Sequence, residues 1–127
     1  MKLVSVLRRL ARLMLSAIFV VGAGDALRNP EPRAHTVDWM NLPRPNRLVQ
    51  VSSAGLLAGG IALALGVRER EAAALAFVLM VPTTVGGHAF WQVDDQQARR
   101  GQRVHFMKNL TILGALLYVA TGADHGD

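Results

Sequence analysis

Long runs of apolar residues separated by short polar stretches make up most of this chain. Four runs approach the roughly 20 residues needed to cross a membrane. They predict helices at about residues 4–27, 48–67, 71–93 and 104–121. The helices of a soluble bundle would carry polar residues every three or four positions, and these runs do not. The pattern therefore predicts an all-α fold, an integral membrane four-helix bundle, as a single membrane domain over residues 1–127.

Prolines and charges are concentrated between the runs. Residues 28–47 hold four prolines and six charges, so no helix can continue through them and we predict an extramembrane loop. RERE at residues 68–71 predicts a tight turn, and the polar residues 94–103 predict the last connection. Gly55 and Gly59 lie one turn apart, a spacing that lets another helix approach closely. Packing within the chain is favoured over a dimer interface.

The charge balance is basic, with 14 Lys and Arg against nine Asp and Glu. The basic residues lie at the ends of the apolar runs, as in membrane proteins, and form no stripe between exposed aromatics. Nucleic acid is therefore not an expected partner. The first run resembles a signal peptide. Its removal would discard the strongest basic anchor (Arg8, Arg9 and Arg12, on one helical face), so we expect an uncleaved transmembrane helix.

The stretch MVPTTVGGHAFWQVDD, residues 80–95, differs from the apolar run that it ends. Pro82 predicts a helix kink, and the hydroxyls of Thr83 and Thr84 are suited to bond back to backbone carbonyls one turn earlier. The glycine pair 86–87 permits close packing or opens a pocket beside His88. An ionisable residue at this depth is a functional candidate by default.

Polar side chains near the last connection form the candidate site. Helical periodicity places His88, Trp91 and Asp94 on one face, and a short loop brings the start of the last helix beside them. Six residues are then expected at one membrane face: His88, Trp91, Asp94, His105, Lys108 and Asn109. These groups are suited to hydrogen-bond a quinone carbonyl and supply protons to it. The alternative is an interfacial hydrogen-bond network that ties two helices together.

Other cofactors fit less well. Bis-histidine haem ligation by His88 and His105 is disfavoured because both lie near the interface and no second pair exists at another depth. A metal site made of the same histidines with Asp94 is disfavoured too. The chain contains no cysteine, so any thiol chemistry must be performed by a partner.

Four stretches of the chain resemble successive blocks of one family: RLARLMLSAIFVVGAGDALRNP, SAGLLAGGIALALGVRER, VPTTVGGHAFWQVDD and VHFMKNLTILGALL. The chain is similar to the DoxX family of small bacterial and archaeal membrane proteins, especially its actinobacterial members. GHAFW and HFMKNL carry the most specific likeness. The resemblance implies a four-helix membrane fold. The family is named for a subunit of a thiosulfate:quinone oxidoreductase, and relatives are described as membrane anchors in thiol redox homeostasis. It has no agreed catalytic residues to carry over.

We therefore expect a small multi-pass protein of the bacterial plasma membrane, in contact with lipid. It would act as an accessory subunit or scaffold in a respiratory-chain or redox complex, without catalytic activity of its own. The alternative is a quinone-interacting oxidoreductase subunit with a site near His88, His105 and Lys108. A small transporter subunit ranks third, because no charged residue lies near the midplane of the last three predicted helices.

Overall fold

The computed structural model describes residues 2–122, and within that range it contains helices and no strand. The all-α prediction is confirmed. In chain order the elements are α1 (Lys2–Arg28), α2 (Glu31–Thr36), a 3-10 turn (Asp38–Met40), α3 (Pro45–Leu65), α4 (Glu69–Gly87), a second 3-10 turn (Phe90–Gln92) and α5 (Gln96–Ala120). Residue 1 and residues 123–127, the ends of the predicted domain, lie outside the described residues.

Three of these helices are long and apolar enough to cross a membrane, and they correspond to the first three predicted runs. They are α1, α3, and α4 together with the 3-10 turn that follows it. The fourth predicted span lies in α5, whose apolar part carries His105, Lys108 and Asn109. These polar side chains lower its mean hydropathy. A fourth crossing, and thus a bundle of four spans, stays a prediction.

Glycines in α3 allow the neighbouring helices to approach it closely. A Cβ atom added at Gly60 would lie 2.8 Å from the Cβ of Phe19 in α1. Gly55 and Gly59 face α4 instead, and a Cβ at Gly59 would lie 3.3 Å from the carbonyl oxygen of Ala72. Both members of the predicted glycine pair therefore pack against a helix of the same chain.

Buried residues from α1, α3, α4 and α5 form one apolar cluster. Successive long helices pack on each other, α1 on α3, α3 on α4 and α4 on α5. In lipid, van der Waals packing replaces the hydrophobic effect as the force that holds helices together, so these contacts carry the stability of the fold. The cluster comprises Phe19, Ala23, Leu56, Leu63, Ala72, Ala73, Ala76, Met80, Leu113 and Leu116.

An ion pair connects the first helix to the turn between α3 and α4. Arg12 Nη1 donates to Glu69 Oε1 at 2.9 Å. The Arg12 guanidinium lies against Gly66, which ends α3 in the left-handed conformation at φ 73°. Arg12 points into the bundle, whereas Arg8 and Arg9 are exposed.

The predicted third helix, at residues 71–93, is wrong at its end, since α4 stops at Gly87. His88 leaves the helical region with φ −122° and ψ 44°, and Ala89 follows with φ −76° and ψ 76°. Those angles at Ala89 are typical of an inverse γ-turn, and the Phe90 N–H donates to the His88 carbonyl at 2.9 Å. The apolar run continues through Phe90 and Trp91, so hydropathy does not reveal this turn.

The predicted last helix, at residues 104–121, is wrong at its start, since α5 begins at Gln96. The Asp95 carboxylate accepts a hydrogen bond from the Ala98 N–H at 2.9 Å and caps the helix. The first two turns of α5 are polar and exposed apart from the half-buried Gln102. A capped polar helix therefore occupies most of the predicted 94–103 connection.

Candidate functional site

α4 runs through Pro82 as one continuous helix. The Thr83 hydroxyl donates to the carbonyl of Leu79 at 2.9 Å, one turn earlier, as predicted. Thr84 is almost fully buried, and its hydroxyl accepts a hydrogen bond from Asn109 Nδ2 at 3.2 Å. The paired threonines therefore differ in their partners. Thr83 bonds within α4, and Thr84 connects α4 to α5.

The glycine pair at the end of α4 packs against the segment between α1 and α3, which we call the first loop. A Cβ atom at Gly86 would lie 2.9 Å from Val37 Cγ1 and 3.0 Å from Met40 Sδ. Trp39 Nε1 donates to the Gly86 carbonyl at 2.9 Å. Of the two interpretations of these glycines, close packing is the one that the structure shows, and the loop rather than a pocket occupies the space.

The imidazoles of His88 and His105 stack on each other. Their ring centroids are 5.4 Å apart and their planes differ by 25°. His88 Nδ1 donates to Gln102 Oε1 at 2.9 Å, and Lys108 Nζ lies 3.4 Å from His105 Nδ1. His88 is half-buried, whereas His105 and Lys108 are exposed. Because the rings are in direct contact, a ligand bound here would lie beside the pair and not between its members.

Gln102 is the member of this polar group that the sequence analysis missed. It lies three residues before His105, on the same side of α5. Starting the last helix at residue 104 left Gln102 in a predicted loop, where its direction could not be inferred. The sequence does contain a sign that Gln102 is helical. Asp95 followed by helix-forming Gln and Ala is the pattern of a capped helix start.

Trp91 belongs to an aromatic cluster rather than to the imidazole pair. Its ring lies 6.1 Å from Trp39 and 5.9 Å from Phe106, centroid to centroid, in edge-to-face geometry. Phe90 contacts both Trp91 and Phe106, and the Arg103 guanidinium lies 5.5 Å from the Phe90 ring centroid. The cluster joins the first loop, the α4–α5 connection and α5 at one end of the molecule. Tryptophans are enriched at membrane–water interfaces.

The six predicted site residues therefore lie in four separate places. His88, His105 and Lys108 are together, Trp91 lies in the aromatic cluster, and Asn109 bonds to Thr84 one turn deeper. Asp94 is exposed and makes no hydrogen bond or ion pair within residues 2–122. The expectation that His88, Trp91 and Asp94 share a helical face is wrong, because α4 ends before all three.

The chemistry open to this group is that of hydrogen bonding and proton transfer at a membrane surface. Imidazole and ammonium groups supply N–H donors, and the neutral imidazole also accepts. Among the described residues, no group of three or more His, Cys, Asp and Glu side chains is placed to hold a metal ion. The N–H donors of these side chains suit a small polar or carbonyl-bearing ligand.

The fold and the polar group together define a class, an all-α membrane protein with three candidate spans and a histidine pair at one end. The sequence model of the DoxX family matches residues 7–89, well over half of the chain. The chain therefore belongs to the DoxX family. The match includes His88 and leaves α5, with His105, Lys108 and Asn109, outside. No curated protein and no solved structure matches the chain.

The hydrogen bond between Asn109 and Thr84 gives a measurable coupling between α4 and α5. We expect a double-mutant cycle of Asn109→Leu and Thr84→Val to yield a coupling free energy of about 0.5–1.5 kcal/mol, the range for such bonds between membrane helices. The free energy of unfolding in detergent is the measurement. Thr111→Val is the control partner, because Thr111 bonds only to Met107 in its own helix. Equal coupling of Asn109 to both threonines would contradict the contact.

Proposed function

We propose that this DoxX-family protein is a small membrane subunit or scaffold of a respiratory or redox complex. It is multi-pass, lies in the bacterial plasma membrane, and has α5 as its fourth crossing. The observation that carries the proposal is the use of the candidate polar side chains within the chain itself. His88 bonds to Gln102, His105 to Lys108, and Asn109 to Thr84. The first and last of these contacts join the end of α4 to α5, and the contact of His105 with Lys108 lies within α5. The two contacts between the helices hold α4 and α5 in a fixed relation, which a scaffold requires.

The start of α1 supports a role in assembly. Arg12 lies at the α3–α4 turn, so residues 2–11 extend past that turn by about 15 Å at 1.5 Å per residue. All of these residues are exposed. They offer a partner the guanidinium groups of Arg8 and Arg9 beside apolar side chains such as Leu7. A membrane-bound redox enzyme with an acidic surface near the bilayer suits this extension.

Purification of a tagged chain in mild detergent tests the proposal. We expect a larger redox enzyme to co-purify in fixed stoichiometry. Replacing Arg8 and Arg9 together by Ala should lower recovery of the partner roughly two- to tenfold, because each exposed charge contributes up to about 1 kcal/mol. The matched control replaces Arg99 and Arg100, an exposed pair in α5, and should change nothing. Recovery of the chain only as a monomer or homodimer would count against the scaffold.

The second candidate is a quinone-interacting oxidoreductase subunit. The observation that favours it is the exposure of His105 and Lys108 next to the half-buried His88, which leaves N–H donors open to a ligand. An N–H donor is what a quinone carbonyl requires. Saturable quinone binding that His88→Ala and His105→Ala abolish would favour this candidate over the scaffold. Absence of binding, or binding unchanged by both substitutions, would exclude it.

A further inference from the structure

A furrow lies on the outer side of the contact between α3 and α4. It is a shallow, open depression with a volume of about 240 Å³, and its apolar lining is made of Ala58, Gly59, Ala62, Val67, Ala72 and Leu75. Small residues create it, because the two helices approach closely at Gly59 and leave little side-chain bulk above the contact. Residues 58–67 span about 13 Å along the chain at 1.5 Å per residue. The furrow is thus elongated and apolar, and its rim residues Ala58 and Leu75 are exposed.

Two opposite charges lie at one end of this furrow. Arg68, which precedes α4, and Glu71, in its first turn, complete the lining. Both side chains are exposed, and neither forms an ion pair with another residue of the range 2–122. The ion pair of this turn joins Arg12 to Glu69 instead. The furrow therefore ends at a guanidinium and a carboxylate that are both open to a ligand.

We propose that the furrow binds one acyl chain of a zwitterionic phospholipid, with the phosphate on Arg68 and the ammonium on Glu71. The α3–α4 turn joins two candidate spans and so lies at the level of the headgroups. A positive and a negative side chain next to each other complement a headgroup that itself carries both charges. An anionic headgroup without an ammonium would bring its charge near the Glu71 carboxylate. The site thus selects phosphatidylethanolamine over phosphatidylglycerol by attraction to one lipid and repulsion of the other.

Native mass spectrometry of the full chain, released from detergent with equimolar phosphatidylethanolamine and phosphatidylglycerol of identical acyl chains, tests this assignment. We expect the ethanolamine lipid to be retained about two- to fivefold more, the range of exposed ion pairs. Arg68→Gln should lower retention of both lipids. Glu71→Gln should lower retention of the ethanolamine lipid and raise that of the glycerol lipid, so that the preference disappears. Ala58→Phe fills the furrow and should remove both.

Matched controls lie elsewhere on the same surface. Arg47→Gln and Glu31→Gln change exposed charges at the other end of α3 and in α2, and Ala74→Phe adds a ring to an exposed position of α4 outside the furrow. These variants should retain the lipid as the wild type does. Tryptophan fluorescence confirms folding of each variant. Equal or greater retention of the glycerol lipid by the wild type, or equal effects of Ala58→Phe and Ala74→Phe, would overturn the proposal.

Discussion

Replacing Gly60 by leucine will lower the free energy of unfolding by about 1–3 kcal/mol, the usual cost of adding side-chain atoms to a packed contact. A Cβ atom at this position would lie 2.8 Å from the Cβ of Phe19 in α1. Both atoms are attached directly to a helix backbone, so a rotamer change cannot relieve the overlap and α1 must move away from α3. Denaturant unfolding in detergent, followed by the fluorescence of Trp39 and Trp91, measures the loss.

Gly114 in α5 provides the matched control for this substitution. A Cβ atom there would have no neighbouring helix within 4 Å. Leucine favours a helix over glycine by up to about 1 kcal/mol, so the Gly114→Leu variant should be at least as stable as the wild type. If Gly60→Leu is no more destabilising than Gly114→Leu, α1 does not pack on α3 as described, and the helix arrangement is refuted.

The main helices were predictable from the sequence because a membrane requires length and apolarity, and both are readable along the chain. The apolar runs gave α1, α3 and α4 to within a few residues at most ends. The end of α4 and the start of α5 were not predictable from hydropathy, because they depend on local backbone geometry. The turn at Ala89 sits among apolar residues, and the Asp95 cap sits in a stretch that looks like a loop.

In the candidate site, too, the residue types were predictable from the sequence and their contacts were not. Functional groups such as His88, His105 and Lys108 were identifiable as ionisable residues near an apolar run, and the structure places them together. Their partners were not identifiable. Trp39 reaches Gly86 across 47 positions of sequence, and no periodicity relates residues so far apart. The partner of Thr84 could not be foreseen either, because a hydroxyl in a helix can bond to its own backbone or to a neighbouring helix.

These contacts give the proposed scaffold a consistent physical basis. One end of the molecule is held by the first loop, which packs on Gly86, and by the aromatic cluster around Trp91. The other end is held by the pair of Arg12 and Glu69. Many exposed side chains between these two ends are large and apolar, as a surface in contact with lipid requires. A partner enzyme would therefore find its charged contacts beyond the membrane, at the exposed start of α1.

Leu116→Ala will destabilise the protein by about 2–5 kcal/mol, the cost found for large-to-small changes in packed cores. Leu116 is fully buried in the apolar cluster and is one of the two α5 residues within it. We expect a value near the lower limit of this range. Lipid is itself apolar, so the loss of free energy comes from lost packing and not from transfer out of water. Denaturant unfolding in detergent measures it.

The adjacent Leu117 makes this experiment a test of α5 as the fourth crossing. Leu117 is 47% exposed, in the same helix and of the same chemical type. If α5 crosses the membrane against α4, Leu117 already faces lipid, and Leu117→Ala should cost about 0.5 kcal/mol or less. Equal losses for the two variants would mean that α5 does not present one face to the core, and the proposed fourth crossing would then fail together with the scaffold built on it.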